Sequence, residues 1–256
     1  MRKLTSIIKD NVQLIDDYYL LTIINDEQSK NVRAGQFFGL HVITHSTDPL
    51  LYRPISVFDV NGDEITFLYR AVGRGTEILS QQKAGVTLNA LGPLGNGFKV
   101  ADECKSAALV GGGVGMPPLY FLTKTNPTVN FTFYYGGRSK EHILLLNRWN
   151  ALNNVEVVIT TDDGSLGDKG LVIVPFEKDV LSGKFDQVFA CGPTPMLRAV
   201  DKIAAENNLQ GQISLEARMA CGVGACLACV CPTIYGMKKR VCADGPAFKI
   251  GEVLWD

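Results

Sequence analysis

Nothing in the 256 residues is apolar enough, over a long enough run, to cross a bilayer as a helix, so no membrane span is expected. The opening residues, Met1-Arg2-Lys3-Leu4-Thr5, lack the apolar core and small-residue cleavage site of a secretory signal, and a cytoplasmic protein is expected. Charge of neither sign dominates. Lys and Arg total 25 against 26 Asp and Glu, a net charge of -1, which argues against nucleic acid or an anionic membrane as partner. Histidine is scarce. His41, His45 and His142 fall in no nucleophile or base motif, and each reads as a surface or packing residue. There is no internal repeat, no low-complexity linker and no eightfold alternation of strand and helix.

What is plentiful is cysteine in one place. The chain has 7 cysteines. A reducing compartment makes a disulfide framework a poor explanation for them. Cys104 and Cys191 stand alone, and the other five crowd between positions 221 and 242. The order is Cys221-x4-Cys226-x2-Cys229, then twelve residues, then Cys242. The first three follow the plant-type [2Fe–2S] spacing. Such a centre needs two thiolates on each iron, and Gly222 and Gly224 let the backbone close around it. The competing reading is a zinc site with four thiolates, but zinc ribbons pair two C-x2-C knuckles and only one is present. Cys231 is then a spare thiol, read as a buried bystander. The short Cys229–Cys242 connection predicts a small subdomain with its cluster near the surface.

The remaining chain changes texture once. With 46% hydrophobic residues it can bury substantial cores. Up to about Phe98 it reads as short strands and turns. Residues 18–24 and 36–43 are aromatic and β-branched, and 55–69 form a hairpin centred on Asn61-Gly62. These predict a small antiparallel barrel. From Ser106 to about Leu209, strands at 107–110, 131–135, 155–160 and 187–190 alternate with helical stretches near 141–152 and 195–206, predicting a parallel sheet covered by helices.

Two further constellations carry chemistry. In the barrel region, Arg53-Pro54-Ile55-Ser56 is followed by Leu68-Tyr69-Arg70 and Gly73-Arg74-Gly75-Thr76. In the second region, Gly111-Gly112-Gly113-Val114-Gly115 runs from a strand into Met116-Pro117-Pro118-Leu119, a turn that suits a pyrophosphate at a helix start. Cys191-Gly192-Pro193-Thr194-Pro195 follows the last strand. Thr161-Asp162-Asp163-Gly164 ends another strand, lining the same cleft or serving as a turn.

The barrel constellation resembles the ferredoxin–NADP reductase superfamily, whose barrel binds flavin through Arg-x-x-Ser. That resemblance implies FAD on Arg53, Pro54, Ile55, Ser56, Leu68, Tyr69, Arg70, Gly75 and Thr76. Arg53 would pair with the pyrophosphate, Ser56 would sit near flavin N5, and Gly75-Thr76 would open a helix toward phosphate. Many members have Tyr where Ile55 stands, and Trp255 is not assigned the superfamily's C-terminal aromatic role. The same resemblance implies a nicotinamide dinucleotide on Gly111, Gly112, Gly113, Gly115, Cys191, Gly192 and Pro193. A small buried hydrophobe is the alternative for Cys191.

Four phrases narrow the resemblance: Arg53-Pro54-Ile55-Ser56, Gly92-Pro93-Leu94-Gly95-Asn96-Gly97-Phe98, residues 216–226, and Cys242-Ala243-Asp244-Gly245-Pro246-Ala247-Phe248. They are similar to the electron transfer subunits of class 1B dihydroorotate dehydrogenase. The resemblance implies a flavin barrel over 1–100, an NAD-binding α/β domain over 101–212 and a [2Fe–2S] subdomain over 213–256. It implies metal on Cys221, Cys226, Cys229 and Cys242, and a heterotetramer, two plus two, with an FMN-containing catalytic subunit of pyrimidine biosynthesis. No second glycine-rich cradle offers a site for FMN on this chain. NAD over NADP rests on the resemblance alone, since Arg138 after Gly136-Gly137 would suit a 2′-phosphate. A stand-alone NAD(P)H reductase for a ferredoxin, oxygenase or hydrogenase is the alternative enzyme; a zinc-stabilised regulatory protein is the non-catalytic one.

Overall fold

A computed structural model of the chain describes residues 2–42 and 48–255; Ile43 and His45 lie outside the described residues. The first six strands are β1 (Arg2–Ile15), β2 (Tyr18–Ile24), β3 (Phe37–Val42), β4 (Arg53–Asn61), β5 (Glu64–Arg70) and β6 (Thr87–Leu94). They close an antiparallel barrel in the order β1-β2-β5-β4-β3-β6. Side chains alternate across each strand. Leu21 and Ile23 of β2 are fully buried, while Thr22 between them turns outward and hydrogen-bonds Thr66 across the β2–β5 pair at 3.2 Å. The β4–β5 turn is one residue later than its sequence suggests. Asn61 pairs with Glu64, so Gly62-Asp63 form the tip, and Gly62 supplies the positive φ of 61°.

Two short helices bridge the barrel, α1 (Asp26–Ser29) and α2 (Arg74–Ser80). The chain then builds a sheet from β7 (Ser106–Gly111), β8 (Asn130–Gly137), β9 (Val155–Thr161), β10 (Asp168–Lys169), β11 (Gln187–Cys191) and β12 (Gln210–Ser214). These strands are parallel, and helices α3 (Pro117–Thr125), α4 (Leu146–Asn150), α5 (Ile173–Leu181) and α6 (Thr194–Glu206) lie between them. Prolines at 117 and 118 open α3, where the missing N–H groups would have no helical partner anyway. Helix α4 is shorter than the 141–152 pattern suggests, and α5 is a helix that the sequence pattern does not predict.

Helix α3 docks on barrel strand β4. Phe58 stacks on Tyr120 at 4.4 Å, Lys124 pairs with Asp59 at 2.6 Å, and Trp149 packs on both Tyr120 and Phe133. One apolar core therefore runs from the barrel into the sheet.

The cysteine segment adds a hairpin, β13 (Val230–Pro232) with β14 (Lys238–Arg240), and a return strand β15 (Ala247–Lys249). β15 pairs antiparallel with β12 and becomes the seventh strand of the sheet, in the order β10-β9-β8-β7-β11-β12-β15. The segment is thus sewn onto the sheet edge. Asp201 of α6 fastens its end, accepting from Gly251 N–H at 2.8 Å and Trp255 Nε1–H at 2.7 Å. No helix among the described residues is long and apolar enough to cross a membrane.

Candidate functional site

The sheet reverses direction of growth at β7, with β8 on one side and β11 on the other. Strand ends at such a switch leave a crevice where ligands bind open α/β sheets. A cavity of about 420 Å³ occupies it. Gly111, Gly112, Gly113 and Gly115 form its floor, with Gly192 and Pro193 beside them and Arg138, His142 and Asp162 at its rim. Bare glycine backbone at a strand end fits a pyrophosphate. The sequence-derived set is brought together here except for Cys191, whose side chain lines the neighbouring cavity instead.

That neighbour, about 410 Å³, lies against the barrel. Arg53, Pro54, Ile55, Ser56, Leu68, Tyr69, Arg70 and Thr76 all line it. Register explains the grouping. Strand β4 pairs with β3 through Arg53 to Ser56, and β5 presents 68–70 alongside on its other flank. Gly75 serves Arg53 directly: a Cβ there would lie 2.2 Å from Arg53 Nε, so only glycine lets the guanidinium lie across the first turn of α2. Helix α2 begins at Arg74, one residue before the expected start. Thr76 Oγ1 is turned back on that start, donating to Gly73 O at 2.9 Å and accepting from Val72 N–H at 3.0 Å. The hydroxyl caps the helix, a role the sequence did not disclose. Arg70 is fixed by Asp17 at 2.7 Å, and Tyr69 donates to Asn11 at 3.1 Å. An arginine beside a helix start and an apolar wall of Ile55, Leu68 and Tyr69 fit the two halves of a flavin dinucleotide.

The two cavities share three walls, Arg70, Val114 and Glu216. Nothing in the local sequence marks Glu216 as a site residue, since a lone Glu after a strand carries no such signal. It reaches the site because β12 ends beside the switch point. Surrounding protein holds its carboxyl above the usual carboxylate range through lost hydration, although solvent reaches it from the cavity. Next to it, burial pushes the Cys191 thiol up to about 12, and the Glu216 charge adds to that. Cys191 is therefore a neutral thiol at ordinary pH, not a nucleophile.

Past the flavin-sized cavity, Phe37, Pro54 and Met219 form a wall shared with a small crevice lined by Cys221 and Gly222. The cysteine loop begins there. Its thiols lie close together: Cys221 interacts with Cys226, and Cys242 with both Cys229 and Cys221. A [2Fe–2S] centre takes two thiolates on each of its irons. Backbone N–H groups point at the sulfurs: Val223 and Cys226 at Cys221 (3.4 Å each), Gly224 at Cys242 (3.1 Å) and Cys242 at Cys229 (3.4 Å). Gly224 must take a φ of 79° to do so, with its would-be Cβ 2.9 Å from that of Ala243. The N–H donors of Val223 and Cys226 draw Cys221 down to about 6, while burial pushes Cys242 up to about 12. Cys229 and Cys242 are buried and Cys226 is exposed. Behind the loop, Arg240 grips Asp244 through Nε and Nη2 at 2.8 and 2.9 Å and donates to Gly224 O at 3.2 Å. Cys231 is half-buried on the hairpin and points to a separate cleft beside Trp255.

A flavin-type barrel joined to a nucleotide sheet defines a reductase of the ferredoxin–NADP reductase type. The ferredoxin NADP+ reductase of Neisseria gonorrhoeae, with bound FAD and NADP, shares this fold at a TM-score of 0.70 and 14% identity, over 84% of this chain and 98% of its own. The structure of an NADH-dependent reduced ferredoxin–NADP oxidoreductase, described for flavin-based electron bifurcation, superposes at 0.85 with 30% identity, over 98% of this chain and 90% of its own. Residues 109–202 match the oxidoreductase NAD-binding domain, and residues 216–254 the iron–sulfur cluster binding domain of dihydroorotate dehydrogenase B. The chain is 41% identical to the dihydroorotate dehydrogenase B (NAD(+)) electron transfer subunit of Bacillus pumilus, over 99% of this chain and 98% of that one. The Clostridium acetobutylicum subunit is 37% identical over 96% and 95%. The chain belongs to the family of dihydroorotate dehydrogenase B (NAD(+)) electron transfer subunits.

Proposed function

We propose that this chain relays electrons to NAD+ from the FMN of a catalytic partner subunit, where dihydroorotate is oxidised to orotate in pyrimidine (UMP) synthesis. Its resident groups are a [2Fe–2S] cluster and FAD. When bound, the cluster exchanges single electrons, nicotinamide a hydride, and the flavin both. The observation that carries the reading is adjacency: the cysteine loop, the barrel cavity and the nucleotide cavity share walls in that order.

The protein's own residues supply placement. Cys221, Cys226, Cys229 and Cys242 hold the cluster, with Arg240 and Asp244 bracing the loop from behind. Arg53 and the first turn of α2 hold the FAD phosphates, and Ile55, Ser56, Leu68, Tyr69 and Arg70 line the ring system. Gly111 to Gly115, Gly192 and Pro193 hold NAD, while Arg70, Val114 and Glu216 set where its nicotinamide meets the flavin. Cys191 closes the flavin side of that junction as an inert thiol. In the cysteine segment Cys226 is exposed, and so are the apolar side chains of Leu227 (60%), Tyr235 (66%) and Met237 (60%). Apolar side chains left in solvent on the segment that carries the cluster ligands suit a contact with the catalytic subunit.

The proposed organisation is a flavin barrel (1–100), an NAD domain (101–212) and a cluster module (213–256), in a cytoplasmic heterotetramer of two plus two. Co-expression with an FMN-containing dihydroorotate dehydrogenase subunit tests it. A brown-yellow complex with equal subunits, iron, FAD, FMN and orotate-forming NAD+ reduction is expected. A purified chain without iron, FAD or NADH-dependent dye reduction would defeat the reading. The 30% likeness to the bifurcating ferredoxin–NADP oxidoreductase favours a second reading, delivery to a ferredoxin. Dye-free reduction of ferredoxin by the isolated chain, with no binding to the dehydrogenase subunit, would select it.

A further inference from the structure

Two stretches of chain, distant in sequence, meet beside the cysteine loop. Residues 92–98 carry the end of barrel strand β6, and residues 242–248 begin with the last thiol, Cys242. Leu94 lines the small crevice with Cys221 and Gly222, and a Cβ on Gly222 would lie 3.3 Å from Leu94 Cδ1. Gly95 has no room for a side chain, its would-be Cβ 2.6 Å from Pro246 Cδ. Asn96 then reaches across. Its backbone N–H donates to Gly245 O at 2.6 Å, and its Nδ2 donates to Ala243 O at 3.2 Å and Asp244 O at 3.1 Å. One strand end thus supports the cysteine loop at Gly222 and again just past Cys242.

The support is fixed on the barrel side. Gln36 is buried, donates from Nε2 to Gly95 O at 2.8 Å and accepts from Arg33 N–H at 2.8 Å. Phe98 N–H donates to Ala34 O at 2.8 Å. Phe37 of β3 pairs with Leu94 on one side and with Ser56 on the other. A single rung across three strands therefore runs from a wall of the flavin-side cavity to the crevice at Cys221. On the cysteine side, the turn after Arg240 satisfies its own donors. Ala243, Asp244 and Gly245 N–H groups all donate to Arg240 O, at 3.2, 2.8 and 3.2 Å. For the carbonyls of Ala243 and Asp244, the donor among the described residues is Asn96.

Both acceptors are carbonyl oxygens, so the position calls for a short side chain that donates. Asn96 is exposed, and bonds of this kind add little to overall stability. Their effect falls on placement. Ala243 and Asp244 follow Cys242 directly, and partners behind a ligand orient the atom that binds. Strand β15 ties the cysteine segment to the nucleotide sheet, whereas Arg53 to Ser56 and Leu68 to Arg70 belong to the barrel. A joint from barrel to cysteine loop puts cluster and flavin in one frame. We propose that Asn96 is a positioning residue for the iron–sulfur centre, holding the Cys242 turn on the barrel and so fixing the cluster's place relative to the flavin. The inference rests on the assignment of the four thiols to that centre.

The test uses the purified chain with its FAD and cluster. Asn96→Asp keeps the side-chain size and removes the donor; Asn96→Ala removes both. Loss of the brown absorbance to an iron chelator should quicken roughly tenfold or more in each variant. The electron paramagnetic resonance spectrum of the reduced cluster should shift in each, with FAD content per chain unchanged. Phe58→Ala, which loosens the contact of barrel with sheet elsewhere, should keep the wild-type spectrum and chelation rate. A wild-type rate and spectrum in Asn96→Asp overturn the inference, because size then suffices without a donor. FAD lost in step with the cluster, or an equal quickening in Phe58→Ala, also overturns it, since either reports general loosening. If wild type supplied with iron and sulfide holds no cluster, the assignment of the thiols itself fails, and this inference with it.

Discussion

The barrel and the cysteine segment solve the same problem by opposite means. The barrel inverts its apolar residues. Phe38, Phe58, Phe67, Leu21 and Ile23 are wholly enclosed, and its rigidity follows from packing. The cysteine segment has too few residues to enclose a core and instead leaves Leu227, Ile234, Tyr235 and Met237 in solvent. Its order comes from N–H groups aimed at sulfur, one Arg240–Asp244 clamp, and β15 tied to the sheet edge. A packed core suits a site that must hold a large organic cofactor in fixed register. A ligand-ordered loop suits a centre that must stand near the surface, within reach of another protein.

The contrast can be broken first at the thiolates. Cys242→Ser should abolish the cluster, read as loss of bound iron and of the brown absorbance, while flavin absorbance remains. Flavin lost in the same variant would mean that the two regions do not hold their groups independently. Next in size is Phe58→Ala, which empties the contact with Tyr120 that joins barrel to sheet. A cost of about 3–5 kcal/mol is expected, visible as a lower midpoint in denaturant with iron content per folded molecule preserved.

The smallest effect concerns the clamp. Arg240 hydrogen bonds hold the Asp244 carboxyl down at about 2, against about 3.9 when unfolded. A folded pKa below the unfolded one stabilises above the unfolded value and is lost as pH falls through the folded one. The difference in melting temperature between wild type and Asp244→Asn should therefore be full at pH 7 and vanish between pH 4 and 2. A difference that is constant with pH would assign the clamp's role to shape, not charge. Because the pair is partly solvated, the effect should be small at any pH.

Much of this was legible in the sequence because the relevant chemistry is local. The x4 and x2 spacings of Cys221, Cys226 and Cys229 act within one loop, and Arg53 to Ser56 lie on one strand. What was hidden depends on distant partners. Strand β15 has three residues and becomes a strand only because β12 offers it an edge. Glu216 gains importance from where β12 ends, and Cys191 lines the flavin-side cavity together with Ser214, its partner on β12. The β4–β5 turn slipped by one residue because Asn61 completes a ladder pair with Glu64, which hydrophobic patterning cannot foresee.

Arg70, Val114 and Glu216 each belong to two chambers at once. In evolutionary terms such a residue answers to two selections, and a change that improves the fit on one side is judged again on the other. These three positions should drift more slowly than Leu171, which borders only the nucleotide side. For an engineer the same geometry marks a division of labour. Residues of the outer rim border one cavity alone and can be altered with the other chamber untouched, while the partition between the chambers is left as found.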